Sequence, residues 1–525
     1  MISYTSFSFF LLYFGITFII YSLMPQKLKW CVLLIGSYFF YFVSAKGHIL
    51  SLLFITASVW ALGLWLQHLN DVMSAKRKEA PKEEKKLIKT KYNKYKRLVL
   101  TLGIVFVVVF LLICKYSGFF ITTVNSVFSL SVSELSVVQP LGISFFTLEA
   151  IGYLSDVYTG RIKAVKNPLH ISLFLSFMLT VVEGPVARYE QLGAQLITCK
   201  YNNLEDASKG LIRLIWGLFK KIVVADRAAV FANAVFDKCD NYSGIVVVAG
   251  IALYTLQLYC EFSGVMDMMC GLGNMLGIKL PENFNNPFFA KSINEFWQRW
   301  HISLGTWLRD YIFYPISFSK GIKNLSAKTK SKFSAYYANL IPTAVALFFV
   351  WFTNGFWHGA GWKYIVYGLY YYFLMMLGLF LEPLFRKICD KTKINRESKP
   401  FLLFRIIRTV CVVNIGMLIF RAEDLHTAFM MFLSIFNKVE LLSLLPGNHN
   451  GFNLSLYDYA VIIIGFFVLL AVGVIKEKGI DITEKIYKLP YIAKVVFYSA
   501  ALMIIVVFGA YGEGYGVVDL IYANF

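Results

Sequence analysis

The chain has 525 residues, of which 58% are hydrophobic and only 16% are charged, and its formal net charge is +20. Charged residues normally make up about a quarter of a soluble protein, so this composition excludes an ordinary soluble domain. Apolar runs recur along nearly the whole sequence, many of them close to the roughly 20 residues that cross a bilayer core. The sequence therefore predicts an all-α polytopic membrane protein.

Three apolar segments come first, and a strongly basic segment follows them. The first, at 7–23, lacks the basic start and the cleavage site of a secretion signal, so we interpret it as a retained helix. The basic segment at 76–97 holds eleven Lys or Arg against three Glu. The positive-inside rule makes it a cytoplasmic loop, attracted to anionic head groups of membrane lipid. Three crossings before this loop place the N-terminus outside.

The apolar segments together predict about eleven membrane crossings, within two of that number. The candidate spans lie at 7–23, 30–44, 48–66, 98–114, 140–157, 168–184, 243–262, 335–353, 362–381, 401–420, 457–475 and 493–511. The segment 439–457 is predicted to be an outward loop. Since no tandem repeat or long linker marks a boundary, residues 1–525 are expected to form a single membrane-embedded domain.

Two segments are too polar for ordinary spans. Residues 210–231 carry five charges, which predicts an interfacial or re-entrant helix whose basic side faces the cytoplasm. Residues 281–314 are polar and aromatic, yet membrane spans flank them. Non-helical polar backbone at membrane depth is tolerated only inside protein or along a wet cavity. This second segment therefore either lines a reaction chamber or forms a cytoplasmic loop with two amphipathic helices.

Several site classes are disfavoured by the sequence. No aromatic-interleaved basic platform accompanies the positive charge, so no nucleic-acid partner is predicted. The eight cysteines are scattered without a C-x-x-C pair, which disfavours a disulfide framework or a metal site. The glycines of "GLGNMLG" at 271–277 follow no strand, so they do not indicate a dinucleotide site. No tightly bound cofactor is expected.

Of the seven histidines, His358 is the hardest to place in an apolar environment. It follows a long apolar run and precedes another span, and Gly355, Gly359 and Gly361 surround it. Glycines in such positions permit the close approach of another backbone or a ligand. An ionisable group inside a membrane is a functional-site hypothesis by default, although a buried structural histidine remains the alternative.

His301 lies in "FWQRWHISL", where Trp297, Trp300 and Leu304 recur at helical spacing and predict one shared helix face. An aromatic belt at the membrane interface is the alternative interpretation. No nucleophile elbow or metal-ligand motif occurs, so general acid–base catalysis is the natural task of a buried imidazole. A desolvated neutral ring accepts a proton from a hydroxyl, which suits the transfer of an activated acyl group to an alcohol.

Four stretches of the chain resemble the membrane-bound O-acyltransferase superfamily, in particular its bacterial polysaccharide and alginate O-acetyltransferase branch. They are "QPLGISFFTLEAIGYLSDVYTG" (139–160), "WGLFKKIVVADRAAV" (216–230), the region 256–315 that contains "FWQRWHISL", and "GFWHGAGWKYIVYGLYY" (355–371). The last two of these stretches hold the catalytic core motifs, within 256–372. The two histidine motifs are specific in combination, whereas neither is specific alone.

This resemblance implies a ring of helices around a thin protein centre, in the cell membrane of a bacterium. It implies that His358 is the catalytic residue and that His301 lies across the same intramembrane chamber. We predict that His301 is catalytic as well, and that it either orients the acceptor or donates to the developing oxyanion. Other residues of the motifs would support substrate binding without being catalytic: Trp297, Trp300, Trp357, Ser303, Asn283, Asp267, Arg309 and Asp310.

The resemblance also implies the substrates. An acyl thioester, either acetyl-CoA or a phosphopantetheinyl carrier protein, would enter from the cytoplasm, where Arg213, Lys220 and Lys221 would serve either donor. The acyl group would reach a hydroxyl of an extracytoplasmic polysaccharide, directly or through an acyltransferase partner protein.

Two alternatives stay open. One is D-alanyl transfer from a carrier protein to teichoic acid, since Val182, Glu183 and the residues after Pro315 depart from the alginate-type pattern. The other, from a different class, is a transporter or flippase. That class often shows correspondence between two halves of the chain, and none is visible between 1–260 and 261–525.

Overall fold

The computed structural model describes residues 6, 8–46, 48–133, 135, 137–199, 203–330, 334–437, 454–511 and 515. Within these ranges the chain consists of helices joined by turns, and an isolated β-bridge between Phe284 and Trp300 is the single β pairing. A helix satisfies its own backbone N–H and C=O groups, which no water does inside a bilayer. The prediction of an all-α polytopic membrane protein is confirmed.

The α-helices are Ile16–Leu23, Lys29–Ser44, Leu50–Glu79, Glu84–Leu111, Ser117–Phe128, Ile143–Thr159, Pro168–Ser176, Tyr189–Thr198, Leu204–Leu218, Asp226–Asp237, Ile245–Met275, Ile293–Arg299, Ile302–Leu308, Tyr314–Ser317, Lys320–Thr329, Ala335–His358, Trp362–Lys391, Lys399–Arg421, Leu425–Ser434, Leu456–Glu477, Ile482–Tyr487 and Tyr491–Phe508. Wider π turns occur at Phe9–Gly15, Leu112–Tyr116, Phe219–Ala225 and Arg309–Phe313. Tight 3₁₀ turns occur at Gln26–Leu28, Cys239–Asn241 and Pro287–Phe289.

Nine helices in the described ranges are long and apolar enough to cross a membrane: Gln26–Ser44, Leu50–Glu79, Glu84–Phe128, Ile245–Met275, Ala335–His358, Trp362–Lys391, Lys399–Arg421, Leu456–Glu477 and Tyr491–Phe508. This number lies at the lower end of the predicted range. The predicted span at 168–184 is not one helix, because the helix ends at Ser176 and buried turns follow it. The predicted outward loop at 439–457 lies mostly outside the described residues.

The chain forms two compact units, and the expectation of a single domain stays a prediction. The first comprises Met1–Leu211 and Met269–Pro281, and the second comprises Ile212–Met268 and Glu282–Ile521. Buried tyrosines join distant parts of the first unit: the hydroxyl of Tyr21 donates to the Leu276 carbonyl at 2.9 Å. The second unit contains both histidines singled out by the sequence.

The basic segment at 76–97 is helical over most of its length, and its cytoplasmic location stays a prediction. Its first residues form the end of the helix Leu50–Glu79, and its last residues form the start of the helix Glu84–Leu111. A short turn at 80–83 joins the two helices. Lysine and glutamate are good helix formers, so the helices continue beyond their apolar parts. The turn forms where Pro81 holds Ala80 in an extended conformation.

Glycines allow two spans of the second unit to pack backbone against backbone. A Cβ atom on Gly355 would lie 2.3 Å from the Tyr364 carbonyl oxygen, and one on Gly368 would lie 2.2 Å from the Trp351 carbonyl oxygen. No larger residue fits at such distances. The close approach predicted around His358 is therefore confirmed at Gly355, and it fixes the helix Ala335–His358 against the helix Trp362–Lys391.

Candidate active site

His358 is the last residue of the helix Ala335–His358, and the extended backbone of Gly359 ends that helix. Its side chain is only 5% exposed. Aromatic rings enclose the imidazole, with the ring centroid of Phe420 at 5.4 Å and that of Tyr367 at 5.9 Å, both nearly perpendicular to it. The residue thus lies in an apolar enclosure at the junction of two membrane spans.

His301 lies between two short helices, so the prediction of one continuous helix face through Trp297, Trp300 and Leu304 is wrong. The helix Ile293–Arg299 ends before it, Trp300 is extended, and a new helix begins at Ile302. His301 itself has a left-handed backbone, with a φ of 49°. The chain leaves the helix because Trp300 pairs with Phe284 and the N–H of Asn285 donates to the Arg299 carbonyl at 2.9 Å.

Asn283 holds this junction together. Its side-chain oxygen Oδ1 lies 3.0 Å from the backbone nitrogen and 2.9 Å from the hydroxyl oxygen of Ser303, and both groups donate to it. Nδ1 of His301 lies 3.2 Å from the same oxygen. Asn283 therefore contacts both Ser303 and the imidazole through one oxygen, and all three side chains are buried.

The structure brings the two histidines into one neighbourhood. The ring of Trp357 has its centroid 6.0 Å from that of His301 and 5.1 Å from that of His358. Burial lowers the pKa of His301 well below its usual value, and the charge of His358 lowers it further. His301 is consequently a neutral imidazole near pH 7, and its pKa responds to the charge of the other histidine.

The two remaining tryptophans have different surroundings. Trp300 is stacked on Phe296 at 5.4 Å and is 5% exposed, so its ring belongs to the aromatic core. The ring centroid of Trp297 lies 4.7 Å from that of Tyr371 and 5.0 Å from that of Trp351. Its buried Nε1 makes no hydrogen bond within the described ranges. Trp297 therefore carries a polar donor that a substrate group is able to use, whereas Trp300 supports the fold.

Asn354 is a candidate that the sequence prediction missed. It precedes His358 by one helical turn, so the two residues share a helix face. The side chain is 7% exposed, and its Oδ1 atom makes no hydrogen bond to any described residue. The sequence does hold a signal for Asn354, namely an amide four residues before a histidine inside an apolar helix.

Asp267 lies in an ion-pair cluster and not in the aromatic enclosure. One of its oxygens accepts from Nε of Arg213 at 2.8 Å, and the other accepts from Nζ of Lys220 at 2.6 Å. The guanidinium of Arg213 also donates to both carboxylate oxygens of Glu282. Lys220 is 2% exposed, and its amine also bonds to Ser263. The charges of these side chains are matched within the fold.

Lys221 is balanced in the same way. Its amine lies 2.6 Å from a carboxylate oxygen of Asp226 and 3.1 Å from one of Glu261. Arg227, also buried, pairs with Asp458. Residues 210–231 are helical as predicted, but the prediction that their basic side faces the cytoplasm is wrong, because Lys220, Lys221 and Arg227 point inward to carboxylates. This matching also argues against the prediction that Arg213, Lys220 and Lys221 serve the acyl donor.

Arg309 and Asp310 lie in the π turn that follows the helix Ile302–Leu308. Nε of Arg309 donates to a carboxylate oxygen of Asp310 at 3.1 Å, and the Arg309 side chain is about half exposed. The two residues form an ion pair at the end of the segment that carries His301. Their predicted support of substrate binding remains a prediction.

Comparison with known proteins defines the class of this chain. The sequence model of the membrane-bound O-acyltransferase family, MBOAT, matches residues 161–335, a range that includes Asn283 and His301. The protein named "Probable alginate O-acetylase AlgI" from Pseudomonas syringae pv. tomato is 32% identical over 422 residues, 80% of this chain and 72% of its own length.

Two further relatives differ in the reaction that their names give. "Peptidoglycan O-acetyltransferase" of Helicobacter pylori is 34% identical over 369 residues, 65% of each chain. "Teichoic acid D-alanyltransferase" of Bacillus subtilis is 28% identical over 298 residues, which are 55% of this chain and 71% of the relative. The chain thus spans about two thirds of the length of these relatives.

These findings show that the chain belongs to the membrane-bound O-acyltransferase family. It is an acyltransferase, and it is a multi-pass membrane protein of the bacterial cell membrane. Family membership sets aside the transporter or flippase alternative.

Proposed function

We propose that this enzyme transfers an acetyl group from a cytoplasmic thioester to a hydroxyl of an extracytoplasmic polysaccharide, directly or through a partner protein. The observation that carries the proposal is the pair of buried imidazoles around Trp357, in a member of a family of acyltransferases. The names of the relatives favour acetyl transfer, since the O-acetyltransferases among them are 32–34% identical and the D-alanyltransferases 26–28% identical.

In the proposed reaction His358 is the general base. Its apolar enclosure favours a neutral imidazole, which accepts the proton of the acceptor hydroxyl. The hydroxyl oxygen attacks the carbonyl carbon of the thioester, and the carbon–sulfur bond breaks. The proton then passes from His358 to the departing thiolate, so the products are an ester and a free thiol. Such proton transfer typically contributes about 10²- to 10⁴-fold to a rate.

His301 orients the acceptor in this proposal. A neutral ring that donates from Nδ1 to Asn283 carries its lone pair on Nε2, where it accepts a hydrogen bond. A donor to the developing oxyanion would need a proton on Nε2 as well, and burial opposes that cationic form. A polysaccharide offers neighbouring hydroxyls, so one is able to bond to His301 while another meets His358.

The donor is proposed to be a soluble acyl thioester and not a resident cofactor. Acetyl-CoA and a phosphopantetheinyl carrier protein present the same reacting group, and the proposed chemistry at His358 is the same for both. The matched charges of Arg213, Lys220 and Lys221 favour recognition of the donor by other residues.

The test replaces His358 with Ala and measures acetyl transfer from acetyl-CoA in reconstituted vesicles. We expect a loss of at least about 100-fold. His426→Ala is the matched control, because His426 is an exposed histidine of the same unit. Near-normal activity of the His358 variant would refute the catalytic assignment. For His301, full activity of an Asn variant would favour an orienting hydrogen bond over proton transfer.

D-alanyl transfer to teichoic acid is the second candidate, supported by the match to the Bacillus subtilis relative. Analysis of the surface polymers of a deletion strain separates the two. Loss of O-acetyl ester supports the first proposal, whereas loss of D-alanyl ester supports the second.

A further inference from the structure

We propose that Asn283 is a positioning residue that selects the tautomer of His301, so that Nε2 is the ring nitrogen presented to the acceptor. This inference rests on the proposed function, in which His301 contacts the acceptor. It changes the role of Asn283, which the sequence predicted to support substrate binding.

The orientation of the Asn283 amide follows from its neighbours. The backbone N–H of Ser303 is only able to donate, so the atom 3.0 Å from it must be the amide oxygen and not the amide nitrogen. The hydroxyl of Ser303, at 2.9 Å, donates to the same oxygen. Oδ1 is thereby fixed as an acceptor that faces the imidazole.

The tautomer of His301 follows from that orientation. Nδ1 of His301 lies 3.2 Å from Oδ1, which has no proton to give. The contact is favourable only when Nδ1 carries the proton. In the neutral ring the lone pair then resides on Nε2, as the proposed function requires. A histidine without this partner would exchange between both tautomers, and only one of them would accept a hydrogen bond from the acceptor at Nε2.

The backbone around Asn283 also fixes where the ring lies. The backbone carbonyl of Asn283 accepts from the N–H of Ile302 at 3.0 Å, directly after the left-handed residue His301. Phe284 pairs with Trp300 on the other side. The side chain and the backbone of Asn283 therefore act on the same short turn, and they set both the position and the protonation of the imidazole.

Within the described ranges, few titratable groups face His301 from the neighbouring helices. The residue at position 283 therefore has a strong influence on whether the imidazole is protonated. The helix Ile245–Met275 contributes the ring of Phe262 at 4.8 Å, and the helix Ala335–His358 contributes Trp357 and His358. His358 is the titratable group whose charge bears on the pKa of His301. A carboxylate at position 283 would introduce the opposite charge next to Nδ1, which favours the protonated ring.

The experiment uses the full-length protein labelled with [¹⁵N]histidine in lipid bilayers. Nitrogen spectra across a pH series report the tautomer and the pKa of each histidine, and a His301→Gln variant identifies the His301 signals. We expect the Nδ1–H tautomer in the wild type and a mixture of tautomers in Asn283→Ala. We expect Asn283→Asp to keep the Nδ1–H tautomer and to raise the pKa of His301 by about 1–3 units. An Nε2–H tautomer in the wild type would overturn the proposal, as would identical spectra in the wild type and both variants.

Matched controls are available two residues along the chain. Asn285 is exposed, so Asn285→Ala and Asn285→Asp repeat the same changes without altering a contact of His301. In acetyl transfer, Asn283→Ala should lose about 10- to 100-fold, as expected when the partner that orients a functional imidazole is removed. Asn283→Asp should retain more activity than Asn283→Ala. The acid limb of its pH–activity profile should move to higher pH. Equal losses with an unchanged pH profile would indicate a merely structural role.

Failure of this inference is distinguishable from failure of the proposed function. The spectra need no substrate, so they test the tautomer even if the acceptor is unknown. Full acetyl transfer by His301→Gln would refute the role of His301 while leaving its tautomer assignment intact. If Asn283→Ala does not fold, the pKa of His301 in Asn283→Asp decides: a raised value supports the proposal and an unchanged value overturns it.

Discussion

Two buried polar regions of the second unit differ in how their charge is balanced. Around the π turn Phe219–Ala225, Lys220 and Lys221 are almost fully buried, and each amine has a carboxylate within 2.6 Å. Around Trp357, His301 and His358 are equally buried, and the aromatic rings of Phe262 and Phe420 enclose them. We refer to the first region as the ion-pair cluster and to the second as the histidine site.

The difference shows why burial of a polar residue is not sufficient evidence of function. In the ion-pair cluster each charge is matched, so its residues hold the fold together and have little capacity left for a ligand. In the histidine site the protonation of His301 is governed by burial and by the second histidine. A neutral imidazole of that kind keeps a ring nitrogen that is able to accept a hydrogen bond from a substrate hydroxyl.

The largest effect on stability is expected in the ion-pair cluster. Replacing Lys221 with Met leaves the carboxylates of Asp226 and Glu261 buried without their cation. We expect the free energy of unfolding to fall by about 3–5 kcal/mol, the usual cost of breaking a buried ion pair from one side. Thermal unfolding in detergent measures this change. His358→Ala should be markedly less destabilising in the same assay, and equal losses would remove the distinction between the two regions.

A smaller effect is expected from the pH dependence of stability. Because the pKa of His301 is lowered in the folded protein, the unfolded chain binds a proton at this residue before the folded protein does. Its contribution to stability is therefore present above a pH of about 6.5 and is lost as the pH falls below that value. The loss should reach about 1 kcal/mol between pH 6.5 and 5.5, and it should be absent from His301→Gln. Parallel pH curves for the two proteins would contradict the neutral state of His301.

The smallest effect is expected at an exposed ion pair. Lys209 and Glu205 lie 2.6 Å apart, one helical turn from each other, and Glu205 is about half exposed. Removing Lys209 should cost no more than about 0.5 kcal/mol. This variant is the control for Lys221→Met, since it tests the same residue type against the same type of partner at the surface. A loss above 2 kcal/mol would show that burial is not what separates the two pairs.

The sequence predicted the helical class of the fold and the functional importance of two histidines, for separate reasons. Apolar runs of nearly bilayer length require helices because the backbone must satisfy its own polar groups in lipid. His301 and His358 were conspicuous because an imidazole is costly in apolar surroundings. The glycine positions near His358 also predicted the close backbone approach that the structure shows at Gly355.

The errors of the sequence analysis have a common cause in long-range contacts. The helical spacing around Trp300 was a correct local pattern, but pairing with Phe284 ends the helix there. The cations of 210–231 resembled a solvated helix face, yet Lys220 finds Asp267 and Lys221 finds Glu261 far along the chain.

The sequence by itself determined that this chain spans a membrane as helices and that His301 and His358 are the residues to explain. Both conclusions depend on local quantities, namely the length of apolar runs and the cost of burying a polar group. Only the tertiary structure decided which buried charges are matched, where His301 leaves its helix, and which side-chain oxygen faces its Nδ1 atom. Those features depend on partners distant in sequence, above all Asn283 and the ring of Trp357, and no local pattern specifies them.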